Sequence, residues 1–262
     1  MASSGRVVVL IDLSGTLLVE DMCIAGVPAA LRRLKSNPRY AVKFVTNTTK
    51  ESANRLYERL RKLGLDITQS EIFTSLTAAK HLIKKDNLRP MLFLEKAALE
   101  DFTDVDIKEP NAVVVGLAPS KFSFTSLNEA FRLLLDGAKL IAIHKGRYYK
   151  QTDGLSLGPG PFVEALEYAA DVKSQVVGKP ERAFFLTALA SIDNSLTPQQ
   201  VVMIGDDVRD DVLGAINAGM HAILVKTGKY CEGDELEIPE TSRNCVETFV
   251  EAVDLIEKNL VK

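Results

Sequence analysis

Short runs rich in apolar residues limit what this 262-residue chain can fold into more than any other feature of it. They fall at 7–13, 42–46, 112–116, 140–144, 201–205 and 222–225, and Val, Ile and Leu dominate them. A strand with one wet face alternates apolar and polar residues, whereas one buried on both faces need not. Segments with helical spacing separate the runs, at 28–35, 52–63, 77–85, 126–135, 161–170, 182–189 and 211–218, and 247–259 closes the chain. In the fourth of these, Leu127, Phe131 and Leu134 share one stripe, as a core-facing helix requires. Strands alternating with helices predict an α/β fold with a mostly parallel sheet.

Composition narrows the function. A hydrophobic share of 46% supports a sizeable core, and 26% charged residues is an ordinary globular proportion. A net charge of −3 and a pI near 5.8 argue against nucleic acid as a partner. No stretch approaches the roughly 20 apolar residues that span a bilayer, so no membrane partner is expected. The first apolar run ends at Leu13 and reads as a strand rather than a signal peptide, so the expected location is the cytoplasm. Cys23, Cys231 and Cys245 are odd in number and scattered, which fits a reducing compartment. His81, His144 and His221 lack zinc-ligand spacing.

In open α/β sheets, ligands bind beyond the carboxyl ends of the strands. Polar residues follow three of the runs and one shorter apolar stretch. After the first come Asp12-Leu13-Ser14-Gly15-Thr16, and after the second Thr46-Asn47-Thr48-Thr49. A short Val-Val-Gly stretch leads to Lys179, and the 201–205 run leads to Asp206-Asp207 and then Asp210-Asp211. Taken singly, each has a bland reading: a Thr-Asn-Thr is a good turn and helix cap, and acids favour a helix N-terminus. Together and in this order, the four segments resemble the signature motifs of the haloacid dehalogenase-type (HAD) phosphatases. The likeness extends through FVTNTTKES, EIFTSLTAA, FRLLLDGAKLIAIHKGRYYK, GPGPFVEALEYA, VVGKPE and VMIGDDVRDDV. It implies a Rossmann-like core from about 1–87 and 173–262. A large α/β cap at 88–172 is inserted between the second and third motifs, and a homodimer through the cap is plausible by the same resemblance.

On that resemblance, Asp12 is the candidate nucleophile, since a carboxylate can form an aspartyl phosphate, and Lys179 is its catalytic partner and a compact charge for phosphate. The expected cofactor is Mg²⁺, held by Asp12, Asp206 and the main-chain carbonyl of Ser14. Substrate contacts fall to Asp12, Leu13, Ser14, Thr46, Asn47, Thr48 and Lys179. Asp211, with Asp207 and Asp210, would orient groups around the metal. The substrate is expected to be a small phosphorylated molecule or a phosphorylated side chain. The stretch His144-Lys145-Gly146-Arg147-Tyr148-Tyr149-Lys150 reads either as a solvated cap loop or as a holder of the leaving group.

One position departs from the family pattern. Most HAD phosphatases carry a second Asp two residues after the nucleophile, where this chain has Ser14. That Asp protonates the leaving oxygen and then activates water, a role worth about 10²–10⁴-fold. A serine hydroxyl does neither near neutral pH. The expectation is a phosphatase biased towards phosphoryl groups whose leaving group departs easily. The alternative is a catalytically weak binding or regulatory protein on the same scaffold. A receiver-like phosphoacceptor domain is about half this length, and Gly158-Pro159-Gly160 is a poor dinucleotide fingerprint.

Overall fold

The structure is a computed structural model describing residues 5–19, 21–151 and 154–258, with the side chains of 150 and 151 left aside. Asn259, the expected end of the last helix, lies outside these residues. In chain order the elements are β1 (Val7–Ile11), β2 (Leu18–Val19), β3 (Met22–Cys23), α1 (Val27–Ser36), β4 (Tyr40–Thr46) and α2 (Ala53–Lys62). Then come β5 (Ile72–Thr74), α3 (Ser75–Lys85), β6 (Pro90–Phe93), α4 (Lys96–Leu99), β7 (Ala112–Val115), α5 (Phe124–Leu135) and β8 (Lys139–Ala142). The hairpin β9 (Tyr148–Gln151) and β10 (Gly154–Leu157) precedes α6 (Gly160–Ala170), β11 (Gln175–Val176) and α7 (Arg182–Ala190). The chain finishes with β12 (Val201–Gly205), a π-helical turn at Val208–Leu213, α8 (Gly214–Asn217), β13 (His221–Val225), β14 (Cys245–Val246) and α9 (Phe249–Glu257).

These elements form two compact units. The first comprises residues 1–46, 56–73 and 179–262, of which the described ones carry a six-stranded sheet ordered β14-β13-β12-β1-β4-β5. Pairings of β1 with β4 and β12, of β12 with β13, and of β13 with β14 are parallel. The 7–13, 42–46, 201–205 and 222–225 runs all lie in this sheet, and their lack of alternation is explained by helices on both faces. On one face Val7, Val9, Ile11, Tyr40, Val42 and Phe44 pack with α1 and α9. α1 supplies Val27, Ala30, Leu31 and Leu34, the three-and-four spacing of a buried stripe.

The second unit comprises 47–55 and 74–178 and so contains the whole 88–172 segment. Its parallel sheet runs β11-β8-β7-β6, with α5 and α6 packed against it around Phe93, Val113, Val115, Ala130 and Leu166. Of the predicted stripe on α5, Leu134 is fully buried, while Leu127 and Phe131 pack at the edge of the cluster. Ser123 caps α5 by accepting from the Ser126 amide, which explains a start two residues earlier than periodicity gave. β6 begins at Pro90, a position where the missing N–H is tolerated. The 52–63 helix is α2, whose chain crosses from the second unit to the first at 55–56.

Phe44 is fully buried in the centre of the first unit's core. Phe44→Ala is expected to lower unfolding free energy by about 3–5 kcal/mol, measured by urea denaturation.

Candidate active site

The site in the first unit starts from two neighbouring strands. β1 and β12 run parallel with Ile11 opposite Ile204, and the Asp12 amide donates to the Ile204 carbonyl at 2.9 Å. Their carboxyl ends therefore deliver Asp12 and Asp206 side by side. The π-helical turn that follows β12 brings back Asp211, whose Oδ2 accepts from the Asp207 amide at 3.2 Å. Wide turns of this kind are rare and are frequent at functional sites. The Asp207 carboxylate caps the turn, accepting from the Arg209 and Asp210 amides at 3.0 Å each. Lys179 lies among these acids, with Nζ donating to Asp12 Oδ1 at 2.5 Å, Asp211 Oδ1 at 2.6 Å and the Val45 carbonyl at 3.3 Å.

Asp206 is held from two other loops. Thr16 Oγ1 donates to its Oδ1 at 3.2 Å, and the Lys229 amide donates to its Oδ2 at 2.7 Å. Thr227 Oγ1 donates to the Gly15 carbonyl at 2.5 Å and so ties those two loops together. Gly15 and Gly228 both have positive φ, +92° and +57°, and a Cβ on either would strike the Asp206 carboxylate. Glycine is needed at these two places for conformation and for clearance.

Burial dominates the electrostatics. It raises Asp12 to about 6; Lys179 opposes the shift and Asp206 adds to it. Asp206 and Asp211 move up for the same first reason, each reinforced by a neighbouring acid. Burial alone would lower Lys179, but Asp12 and Asp211 outweigh it and hold the ammonium charged. Asp207 goes down: Lys229 Nζ, 2.9 Å away, and two amides overcome its desolvation. Candidate ligand oxygens of Asp12, Asp206 and Asp211 all lie within 4.8 Å of one another. Three buried carboxylates against one buried ammonium leave an excess of negative charge. An all-oxygen donor set of this kind suits a hard divalent cation.

Among the sequence-predicted residues, Asp12, Lys179, Asp206 and Asp211 converge in one buried cluster. Leu13 points its side chain into the apolar core, so only its backbone faces polar partners. Ser14 is exposed beside Asp12. Thr46 ends β4 and is buried, next to the Val45 carbonyl that accepts from Lys179. Asn47 and Thr48 belong to the second unit, where Ser75 Oγ donates to the Thr48 carbonyl at 3.3 Å. In that unit Lys145 is committed to Glu164 at 2.5 Å and Glu167 at 3.1 Å, and Tyr149 lies under the Lys50 ammonium at 4.7 Å. The side chain of Lys150 lies outside the described residues. Sequence reasoning missed Thr16, Thr227 and Lys229. The signal for the last two was present: Thr227-Gly228-Lys229 follow the 222–225 run, at a fifth strand end.

The chain is similar to known hydrolases in sequence and in fold. A family model of haloacid dehalogenase-like hydrolases matches residues 9–108, and one described as HAD-hydrolase-like matches 176–252. Haloacid dehalogenase-like hydrolase domain-containing protein 2 of Rattus norvegicus is 59% identical over 253 residues, covering 97% of this chain and 96% of its own. Phospholysine phosphohistidine inorganic pyrophosphate phosphatase of Homo sapiens is 41% identical over 254 residues, 95% and 93% of the two chains. A crystal structure of a glycerol phosphate phosphatase from Mycobacterium tuberculosis in complex with magnesium superposes with a TM-score of 0.80 at 26% identity. The match covers 93% of this chain and 76% of that one.

The two tight glycines can be tested against an open one. Gly137→Ala, at φ +92° with nothing near its Cβ, should lose only about 1–2 kcal/mol of stability to backbone strain. Gly228→Ala adds the clash with Asp206 and should lose clearly more in urea unfolding. It should also weaken divalent-cation binding in calorimetry, whereas Gly137→Ala should not.

Proposed function

The chain belongs to the haloacid dehalogenase-like hydrolases, and from that premise we propose that it is a magnesium-dependent phosphatase acting through a phosphorylated Asp12. The observation that carries this reading is the buried cluster of Asp12, Asp206, Asp211 and Lys179 at the strand ends. Asp12, Asp206 and the Ser14 carbonyl are the donors we assign to magnesium. When bound, the ion supplies positive charge to the phosphoryl oxygens and offsets the surplus of carboxylates.

In the proposed reaction an Asp12 carboxylate oxygen attacks phosphorus in line. The bond to the leaving group breaks, and that group takes the electron pair. Water then attacks the phosphorus of the aspartyl phosphate, which releases inorganic phosphate and restores the carboxylate. Lys179 orients Asp12 through its hydrogen bond and holds a fixed charge beside the phosphoryl group. Thr46 is the hydroxyl assigned to a phosphoryl oxygen, with Asn47 and Thr48 joining it on chain order alone. Leu13 and Ser14 take part through their amides. Asp211 is a positioning group, because it shares Lys179 with Asp12. The 88–172 segment takes the role of the cap.

Ser14 sets the expected preference. Its hydroxyl neither gives up nor takes a proton readily near neutral pH, so the leaving group must depart unaided. Pyrophosphate, aryl phosphates, acyl phosphates and N-phosphorylated amines meet that demand, and alkyl phosphates do not. The name of the human relative, which lists phospholysine, phosphohistidine and pyrophosphate, supports this preference.

The test is a hydrolysis panel with and without magnesium, on wild type, Asp12→Asn and Ser14→Asp. Wild type is expected to turn over an aryl phosphate, pyrophosphate and a phosphoramidate only with magnesium, and Asp12→Asn to turn over none. Ser14→Asp should raise alkyl phosphate hydrolysis by about 10²-fold or more. Equal wild-type rates on alkyl phosphate and pyrophosphate would sink the leaving-group preference. No turnover at all, with magnesium still bound, would favour a regulatory scaffold.

Removing magnesium should also expose the charge imbalance. In chelator-treated protein, Lys179→Met leaves three buried acids without their ammonium and is expected to lower stability by about 3–5 kcal/mol. Saturating magnesium should recover part of that loss, read as a rise in melting temperature.

A further inference from the structure

β4 carries a second lysine that the catalytic edge does not use. Its sequence is Tyr-Ala-Val-Lys-Phe-Val-Thr, and all seven residues are buried. Successive strand residues face opposite sides of a sheet. Tyr40, Val42 and Phe44 join the core under α1 and α9. Lys43 therefore points to the other face, in the middle of the strand, at 7% exposure. Lysines are almost never buried to this degree without a partner. No hydrogen bond or ion pair reaches Lys43 Nζ among the described residues, and the amine keeps access to solvent rather than being sealed in the core. Burial lowers its pKa, and the field of Glu71 resists that only in part.

Lys43 instead lines a cavity of about 350 Å³ in the first unit, together with Arg6, Lys35, Tyr40, Ser70 and Glu71. The charge in this cavity is unbalanced. Glu71 is its one acid, and it is already used: Lys35 Nζ donates to it at 2.9 Å and the Thr68 amide at 2.7 Å. Lys35 is used as well, by Glu71 and by the Asp66 carbonyl at 2.7 Å. Lys43 is left without an acceptor, and Arg6 lines the same cavity, feeling Asp193 from outside it. Ser70 and Tyr40 also line it. The volume is about ten times the share of one water in the liquid, which admits a small organic anion and not only a bare ion.

We propose that this cavity is a binding site for a small dianionic oxyanion of the phosphate kind, with Lys43 at its floor and Arg6 at its mouth. It is separate from the catalytic cluster, being built on β4 and on segments at 6, 35, 70–71 and 191–192 rather than on the loops after β1 and β12. The inference does not depend on the chain being a phosphatase. An anion there would give Lys43 the acceptor that the chain withholds and would join the segment before β1 to β4.

The experiment is a titration of the full chain, in chelator, with inorganic phosphate, followed by NMR of lysine side-chain amines. Lys43→Met identifies the Lys43 signal. The expected result is a saturable shift of that signal at millimolar phosphate, absent with chloride at matched ionic strength. The shift should persist in Lys179→Met and need about fivefold more phosphate in Arg6→Gln. Glycerol phosphate and malate, titrated in parallel, separate an esterified phosphate from a dicarboxylate as the preferred form. No saturable shift with any of the three anions would overturn the proposal. So would a shift lost in Lys179→Met and unchanged in Arg6→Gln, because it would report the catalytic cluster. Lys43→Met itself should melt no lower than wild type, since no partner of the amine is lost. A lower melting temperature would mean that the amine has a structural partner, and that too would overturn the site.

Discussion

The Lys179 ammonium, shared between Asp12 and Asp211, is the interaction around which the first unit's polar interior is arranged. Each acid would be untenable at that depth alone, because a buried carboxylate without a counter-charge protonates. The lysine holds two of them at once and draws the end of β4 in through the Val45 carbonyl. Asp206, the third acid, has no such cation in contact among the described residues and is held by a hydroxyl and an amide instead. The arrangement is stable as a charge network only in part. The part left over is where the chemistry of a divalent ion and of a phosphoryl group fits.

Much of the fold was legible because the physics that makes a doubly covered parallel sheet also writes itself into composition. The run at 201–205 matches β12 to the residue, and the runs at 7–13 and 42–46 fall within two residues of β1 and β4. The elements that escaped are those whose stability comes from tertiary context. β5 has three residues, and β14 has two. β6 opens on a proline, which reads as a break until its neighbours are known. The expected helix at 211–218 starts earlier, as a π turn at Val208 capped by Asp207, because the cap uses the first acid of a cluster that looked like a ligand run.

For the site, the residues that converge were readable because each follows a strand. Lys229 and Thr227 follow one too, but their contributions come from a backbone amide and from a bond to a glycine carbonyl. Neither group advertises itself through residue type. Lys145 is the converse case. A basic side chain in a family-like loop reads either as a solvated loop or as a holder of the leaving group, and two nearby glutamates hold its ammonium. The sequence contains the charges but not their pairing.

The way the chain divides between the two units has a consequence for its synthesis. β1 sits between β4, which is made soon after it, and β12, whose residues lie about 190 positions further on. Nearly all of the second unit is made in one stretch, 74–178, before Lys179 exists. A ribosome therefore releases the carboxylate of Asp12 long before its ammonium partner and its sheet neighbour. The second unit can close on local and medium-range contacts while the first waits half-paired with an open strand edge. The last quarter of the chain brings β12 and the Asp206–Asp211 turn. In a growing polypeptide the buried cluster of acids and Lys179 is thus among the last features to become possible.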